Sequence, residues 1–161
     1  MDGTSLVRFK SAYIDKLTSR LPNVSYEPPL TDEDVNGIDG SRQVVWFDGA
    51  AQNTTEVLVF KGAPHWFDET YNVTLILQAL GKDTDDTQAA MDQAAVDMLG
   101  EAIAILASDP TVGLVNDSNI QVFTALPAGW KLAAGTLPPN LNGARFELDI
   151  QVKARLTLVA S

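Results

Sequence analysis

Cysteine is missing altogether from the 161 residues. Its absence removes disulfides, thiolate nucleophiles and cysteine zinc sites together, and it fits a reducing compartment. Basic residues are scarce: 11 Lys and Arg stand against 21 Asp and Glu, for a formal net charge of −10. Such a surface repels phosphate backbones, and no basic patch in the sequence offsets it, so tight nucleic-acid binding is not expected. Long apolar runs are missing too, and none approaches the length needed to span a bilayer. The opening MDGTSLVRFKSAY has no uninterrupted apolar core of the signal-peptide kind. The Asn-x-Ser/Thr matches at Asn23, Asn53, Asn72 and Asn116 are therefore read as chance. The expectation is a soluble, acidic, intracellular-type protein without a membrane role.

Hydrophobic residues make up 45% of the chain and charged residues 20%, a globular composition. At this length folding buries roughly 68–70% of the surface that the unfolded chain exposes, enough for one real core. No internal repeat and no dividing linker is visible, so residues 1–161 are read as a single domain.

From Thr4 to Leu21 the apolar positions Leu6, Phe9, Tyr13, Leu17 and Leu21 recur at three- and four-residue steps, which predicts an amphipathic helix ended by Pro22. A short strand around Val24 to Tyr26 precedes Pro28-Pro29. Val44 to Phe47 and Thr55 to Phe60 are β-rich segments around DGAAQNT, which predicts a hairpin. After an irregular KGAPHWF, Thr70 to Leu80 reads as a strand with Tyr71, Val73, Leu75 and Leu77 on one face. Asp85 or Thr84 is placed to cap a long helix with an acidic first turn and with Gln88 in a capping-box position. Its core stripe is Met91, Ala94, Ala95, Met98, Leu99, Ala102, Ile103 and Leu106, and Asp109-Pro110 closes it. Gln121 to Leu126 is a further strand, followed by a Pro- and Gly-rich loop that carries Trp130 to about Gly143. The last element, RFELDIQVKARLTLV, alternates strictly: Phe146, Leu148, Ile150, Val152, Ala154, Leu156 and Leu158 point one way, polar residues the other. The plan is α+β, a mostly antiparallel sheet of about five strands with two helices on its apolar face.

Chemistry-bearing motifs are few. DEDVNGIDGSRQ places Asp32, Asp34 and Asn36 at the first, third and fifth positions of an EF-hand calcium loop, with Gly37 at its turn. The closing bidentate Glu is replaced by neutral Gln43, Asp39 stands where an apolar residue belongs, and a proline pair and a strand replace the flanking helices. A solvated acidic loop is the better reading. His65 lies in APHWFDE, where Asp68 or Glu69 offers a general-base partner, yet no nucleophile elbow, zinc motif, phosphate loop or dinucleotide fingerprint is present. Asp83, Asp85 and Asp86 are explained by helix capping and the helix dipole, so no cofactor and no metal is expected. Trp46, Trp66 and Trp130 lie in or beside loops, where aromatics serve protein contacts or cover core ends. With His65 and Phe67 they form a candidate interface set. Lys153 and Arg155, on the polar face of the last strand, complete it, either guarding an edge or meeting an acidic neighbour.

The order of elements, including TYNVTLILQALGKDTDDTQ, the helix ending in ASDPTVGL and the long closing strand, resembles the tail terminator (tail-completion, head–tail joining) proteins of long-tailed phages. The resemblance spans nearly the whole chain and rests on size, element order and acidic character. It implies a virion protein of the tail or neck, assembled in the host cytoplasm. Such proteins are not enzymes. They form a ring, typically of six copies, on the tail tube protein, stop its polymerisation and meet the head–tail connector or stopper, while DNA passes through the channel without specific binding. A neck stopper, a monomeric protein-binding adaptor and a hydrolase built on His65 or the acidic loop are the alternatives.

Overall fold

A computed structural model describes residues 4–26, 42–49, 52–58, 65–115, 119–132 and 140–158. Helix α1 (Leu6–Arg20) buries Phe9, Tyr13 and Leu17, one side chain per turn along a single stripe. Phe9 stacks on Tyr13 at 5.8 Å and meets Tyr71 edge-on at 6.3 Å, so one aromatic run ties the helix to the sheet. Helix α2 (Gln88–Ser108) buries Met91, Ala95, Met98, Leu99, Ala102, Ile105 and Leu106; the sequence pattern anticipates all of these but Ile105, and its Ala94 and Ile103 lie at the margin. The two helices are joined where Tyr13 donates its hydroxyl to the Ala102 carbonyl at 2.6 Å. Burial pushes the Tyr13 hydroxyl far above its ordinary value.

The sheet is formed by β1 (Arg42–Phe47), β2 (Gln52–Leu58), β3 (His65–Lys82), β4 (Ile120–Leu132) and β5 (Leu141–Leu158). All pairings between these strands are antiparallel. The order is β1-β3-β5-β4, with β2 also on β3. β1 pairs with the stretch Leu75 to Leu80 and β2 with Trp66 to Asn72, so the two run end to end along the same side of β3. They behave as one interrupted edge strand, which makes the α+β sheet four strands wide although it has five strands. The expected hairpin between them is therefore corrected: each pairs with β3 and not with the other. An 18-residue β3 is long enough to accommodate both.

β3 and β5 pair without a register shift from His65↔Leu158 to Lys82↔Leu141. Tyr71, Val73, Leu75 and Leu77 lie with Phe146, Leu148, Ile150, Val152 and Leu156 in the core under the helices. The closing strand's alternation thus specifies the register. Residues His65–Phe67, expected to be irregular, are the first three of β3. Around Val24 only Ser25 pairs, in a parallel bridge to Val44 that covers the open side of β1.

Two further expectations are corrected. The cap of α2 is Thr87, whose side chain accepts from Ala90 N at 3.1 Å. The first turn of α2 contains no acid. Asp85 and Asp86 sit earlier, in a turn bonded to the Lys82 carbonyl, and Gln88 bonds Asp92 and the Gly143 backbone. Trp130 belongs to β4 and not to a loop, because bulges near Val122–Thr124 and Pro127–Gly129 let the strand absorb its proline and glycine. The loop residues Asp32, Asp34, Asn36, Gly37 and Asp39 lie outside the described residues, while Gln43 is part of β1.

Candidate interaction surface

The sheet has a helix-covered face and an outer face, and the candidate residues divide between them and the edges. Trp46 is on the outer face but only 8% exposed, packed with Val44 and Ile76 in a second small cluster. The Arg145 guanidinium lies 5.5 Å from its ring centroid. Trp46 is thus a packing residue. Trp66 and Phe67 lie on a backbone held between β2 and β5, and His65 pairs with β5; the side chains of all three lie outside the description.

Lys153 and Arg155 do not guard an edge. At those positions β5 pairs with Thr70 and Asp68 of β3 on one side and with Thr124 and Gln121 of β4 on the other, so it is an interior strand. Arg155 meets its acidic neighbour instead: Nε and the second guanidinium nitrogen donate to the two Asp68 oxygens at 2.6 and 2.9 Å. The Arg155 hydrogen bonds hold the Asp68 carboxyl below its ordinary value. The guanidinium also lies 5.1 Å from the Phe123 ring centroid. Further along the outer face, Thr74 donates to Asp149 at 2.8 Å, and Glu147 takes Lys131 at 2.9 Å and Arg145 at 3.3 Å. On β4 and β5 this face carries four bases, Lys131, Arg145, Lys153 and Arg155, against two acids, Glu147 and Asp149. It is the reverse of the chain's overall balance.

The carboxylates that flank His65 in sequence are both engaged. Asp68 belongs to Arg155. Glu69, on the opposite face, is 3% exposed and accepts from Ser5 N at 2.7 Å, from Thr4 Oγ1 at 3.0 Å and from Ser5 Oγ. Because a carboxylate only accepts, Ser5 Oγ donates to it, and Tyr71 Oη must be the donor in its 2.9 Å contact with Ser5 Oγ. Burial above all, and the nearby Glu69 charge, raise the Tyr71 hydroxyl although Ser5 opposes the shift. Glu69 is therefore an anchor for the start of α1, where the helix dipole favours a negative group.

The edge strand β4 carries the candidate Trp130 together with apolar residues that the sequence reading missed. Its open side is bonded at Val122 N to Leu114 O and at Ala125 N to Pro110 O, by the turn after α2. That turn is held tightly: Val112 is a buried β-branched residue at φ 46°, followed by Gly113 at φ 80°. Beyond Ala125, nothing among the described residues pairs with this side of β4. There Leu126 is 51%, Trp130 59% and Leu132 61% exposed, next to Phe123 at 37%. Leu126 faces outward with Gln151, whereas Trp130 and Leu132 register with core residues Leu148 and Phe146. Trp130 also meets Phe146 edge-on at 5.4 Å. The sequence signal was the apolar spacing in LPAGWKL, hidden by its Pro and Gly.

No family model matches this sequence, and a search of curated proteins finds no match either.

Proposed function

We propose that this chain is a structural assembly protein of a phage tail or neck, which closes into a ring on the tail tube, ends its growth and presents a surface to the head connector. The observation that carries the reading is the apolar end of β4. A sheet with a thoroughly buried core on its helix side leaves three large apolar residues, more than half exposed, on one edge segment whose outer side has no partner among the described residues. Clustered exposed apolar groups of this kind mark contact surfaces. A single copy offers this edge once, and the opposite edge of the sheet, β1 and β2, is a different surface whose β1 part is bridged by Ser25. Unlike patches that meet head to tail generate rings when the rotation closes. The net charge of −10 supports passage of DNA without attachment, because phosphate contacts need bases.

Light scattering across a concentration range tests the proposal. The expected outcome is one closed mass near six copies that stops growing with concentration, seen as rings by negative-stain electron microscopy. A monomer at every concentration would overturn it in favour of the adaptor reading.

A further inference from the structure

Around Lys153 the outer face of the sheet sets apolar side chains beside an unanswered base. Lys153 and Gln151 of β5 are exposed. In register with them lie Thr124 and Leu126 on β4, and Thr70 and Asn72 on β3. Leu126 is 51% exposed, and Phe123, at the adjoining bulge, 37%. Arg155 and Asp68 answer each other, whereas Lys153 has no charged partner among the described residues. The next acid of β5 on this face is Asp149, four residues away and thus about 13 Å along the strand, beyond the roughly 8 Å over which exposed charges act at physiological salt. The patch is therefore positive by one lysine, on a chain of net −10.

An occupant must bring small or apolar side chains together with an acid that no base neutralises. The same patch on a second copy does not qualify, because a two-fold contact centred here brings Lys153 against Lys153. Helix α1 does not qualify either: it carries Arg8, Lys10, Lys16 and Arg20 against the single acid Asp15. Helix α2 contains no Lys or Arg. Its buried stripe of Met91, Ala95, Met98 and Ala102 faces the core, so Gln93, Val96, Asp97 and Gly100 point the other way, out from the helix layer. All four are exposed, and the space around Gly100 is open. Asp97 accepts from the neutral Gln93 amide at 2.8 Å and keeps its charge unmatched by any base of its own helix.

We propose that the outer sheet face around Lys153 of one copy seats on the outward face of α2 of the next copy, with Phe123 and Leu126 against Val96 and Gly100 and Lys153 opposite Asp97. This inference rests on the ring reading and names one of its subunit contacts. Charge complementarity selects the second copy. The unpaired base stands where this face has no free acid within reach, and the acid stands on the helix that has no base. The two surfaces lie on opposite sides of the sheet, so each copy offers both at once. Such a front-to-back contact is heterologous, as a ring requires.

The lack of native cysteine gives a clean test. Gln151→Cys and Gln93→Cys variants, both at exposed positions, are mixed in equal amounts and treated with a short bis-maleimide. Cross-links between unlike variants are expected, with none between two Gln151→Cys copies. Lys153→Glu or Asp97→Lys alone should weaken association about tenfold, and the two together in one chain should restore it. Circular dichroism shows that each variant is folded, and light scattering reads its mass. Single variants that assemble as wild type does, a double variant that fails to recover, or cross-links between Gln151→Cys copies overturn this contact while the ring reading stands. A wild-type monomer at all concentrations overturns both.

Discussion

At the scale of single residues, Glu69 shows how little of a side chain's role its neighbours in sequence reveal. Beside His65 and Asp68 it reads as half of an acid–base pair. Strand alternation instead sends Asp68 outward to Arg155 and Glu69 inward to the first turn of α1, where it satisfies Ser5 N, Ser5 Oγ and Thr4 Oγ1. The N-cap Ser5 makes no side-chain bond to its own helix, so a strand carboxylate does the capping from 64 positions away in sequence. Removing it strands two buried donors and the neutral Tyr71 hydroxyl network. Glu69→Ala is accordingly expected to cost about 2–4 kcal/mol, from unpaired buried donors and a lost cap. The check is a urea titration, in which the midpoint falls with an unchanged slope. Equal midpoints for variant and wild type would show that the start of α1 is not held by this carboxylate.

The elements themselves were legible where periodicity was strong and one face was buried. α1, α2 and β5 follow their apolar stripes closely, because the core demands those positions. β4 was half legible: Gln121 to Leu126 alternates, whereas Pro127 and Gly129 read as a turn, and only the pairing with β5 reveals bulges in a continuing strand. The β1–β2 hairpin failed for a related reason. Two short strands and a loop specify a hairpin locally, but β3 starts at His65, five residues before the Thr70–Leu80 stretch that its composition announces, and offers a longer partner to both. Close approaches between elements were not readable at all. Gly81 in β3 is one: a Cβ there would come within 2.7 Å of the Asp86 Cβ and Cγ. Asp86 cannot yield easily, since its N bonds Lys82 O and its carbonyl accepts from Asn142 Nδ2, both at 2.8 Å. Gly100 in α2 is the opposite, with open space around it. Gly81→Ala is expected to destabilise by about 1–3 kcal/mol through overpacking, and Gly100→Ala to stabilise by about 0.5–1 kcal/mol through helix propensity. Thermal unfolding of the two variants under conditions that keep the chain monomeric checks both signs at once.

For the whole molecule, acid is the informative variable, because two effects of charge move in opposite directions. The sequence isoelectric point is about 4.3, so lowering the pH from 7 removes the self-repulsion of a strongly acidic chain and by itself favours the compact state. Two carboxylates act the other way, and each joins different elements. Asp68 is held down by its hydrogen bonds to Arg155, against a burial effect that raises it, and ties β3 to β5. For Asp109, burial raises the value, but the Thr111 hydroxyl and the Lys16 ammonium together lower it further, and it ties the end of α2 to α1. A folded value below the unfolded one means that the stabilisation is complete above the ordinary carboxylate range, near pH 4, and disappears as pH falls through the lowered values. At this exposure each pair contributes about 0.5–1 kcal/mol. The urea midpoint is therefore expected to hold or rise slightly from pH 7 to about 5 and to decline below about 4, where general repulsion between acids has already vanished. In Asp68→Asn with Asp109→Asn the midpoint should be lower at pH 7 and the acid decline shallower. If the double variant declines as steeply as wild type, the acid limb belongs to other carboxylates and these two bridges do not govern it.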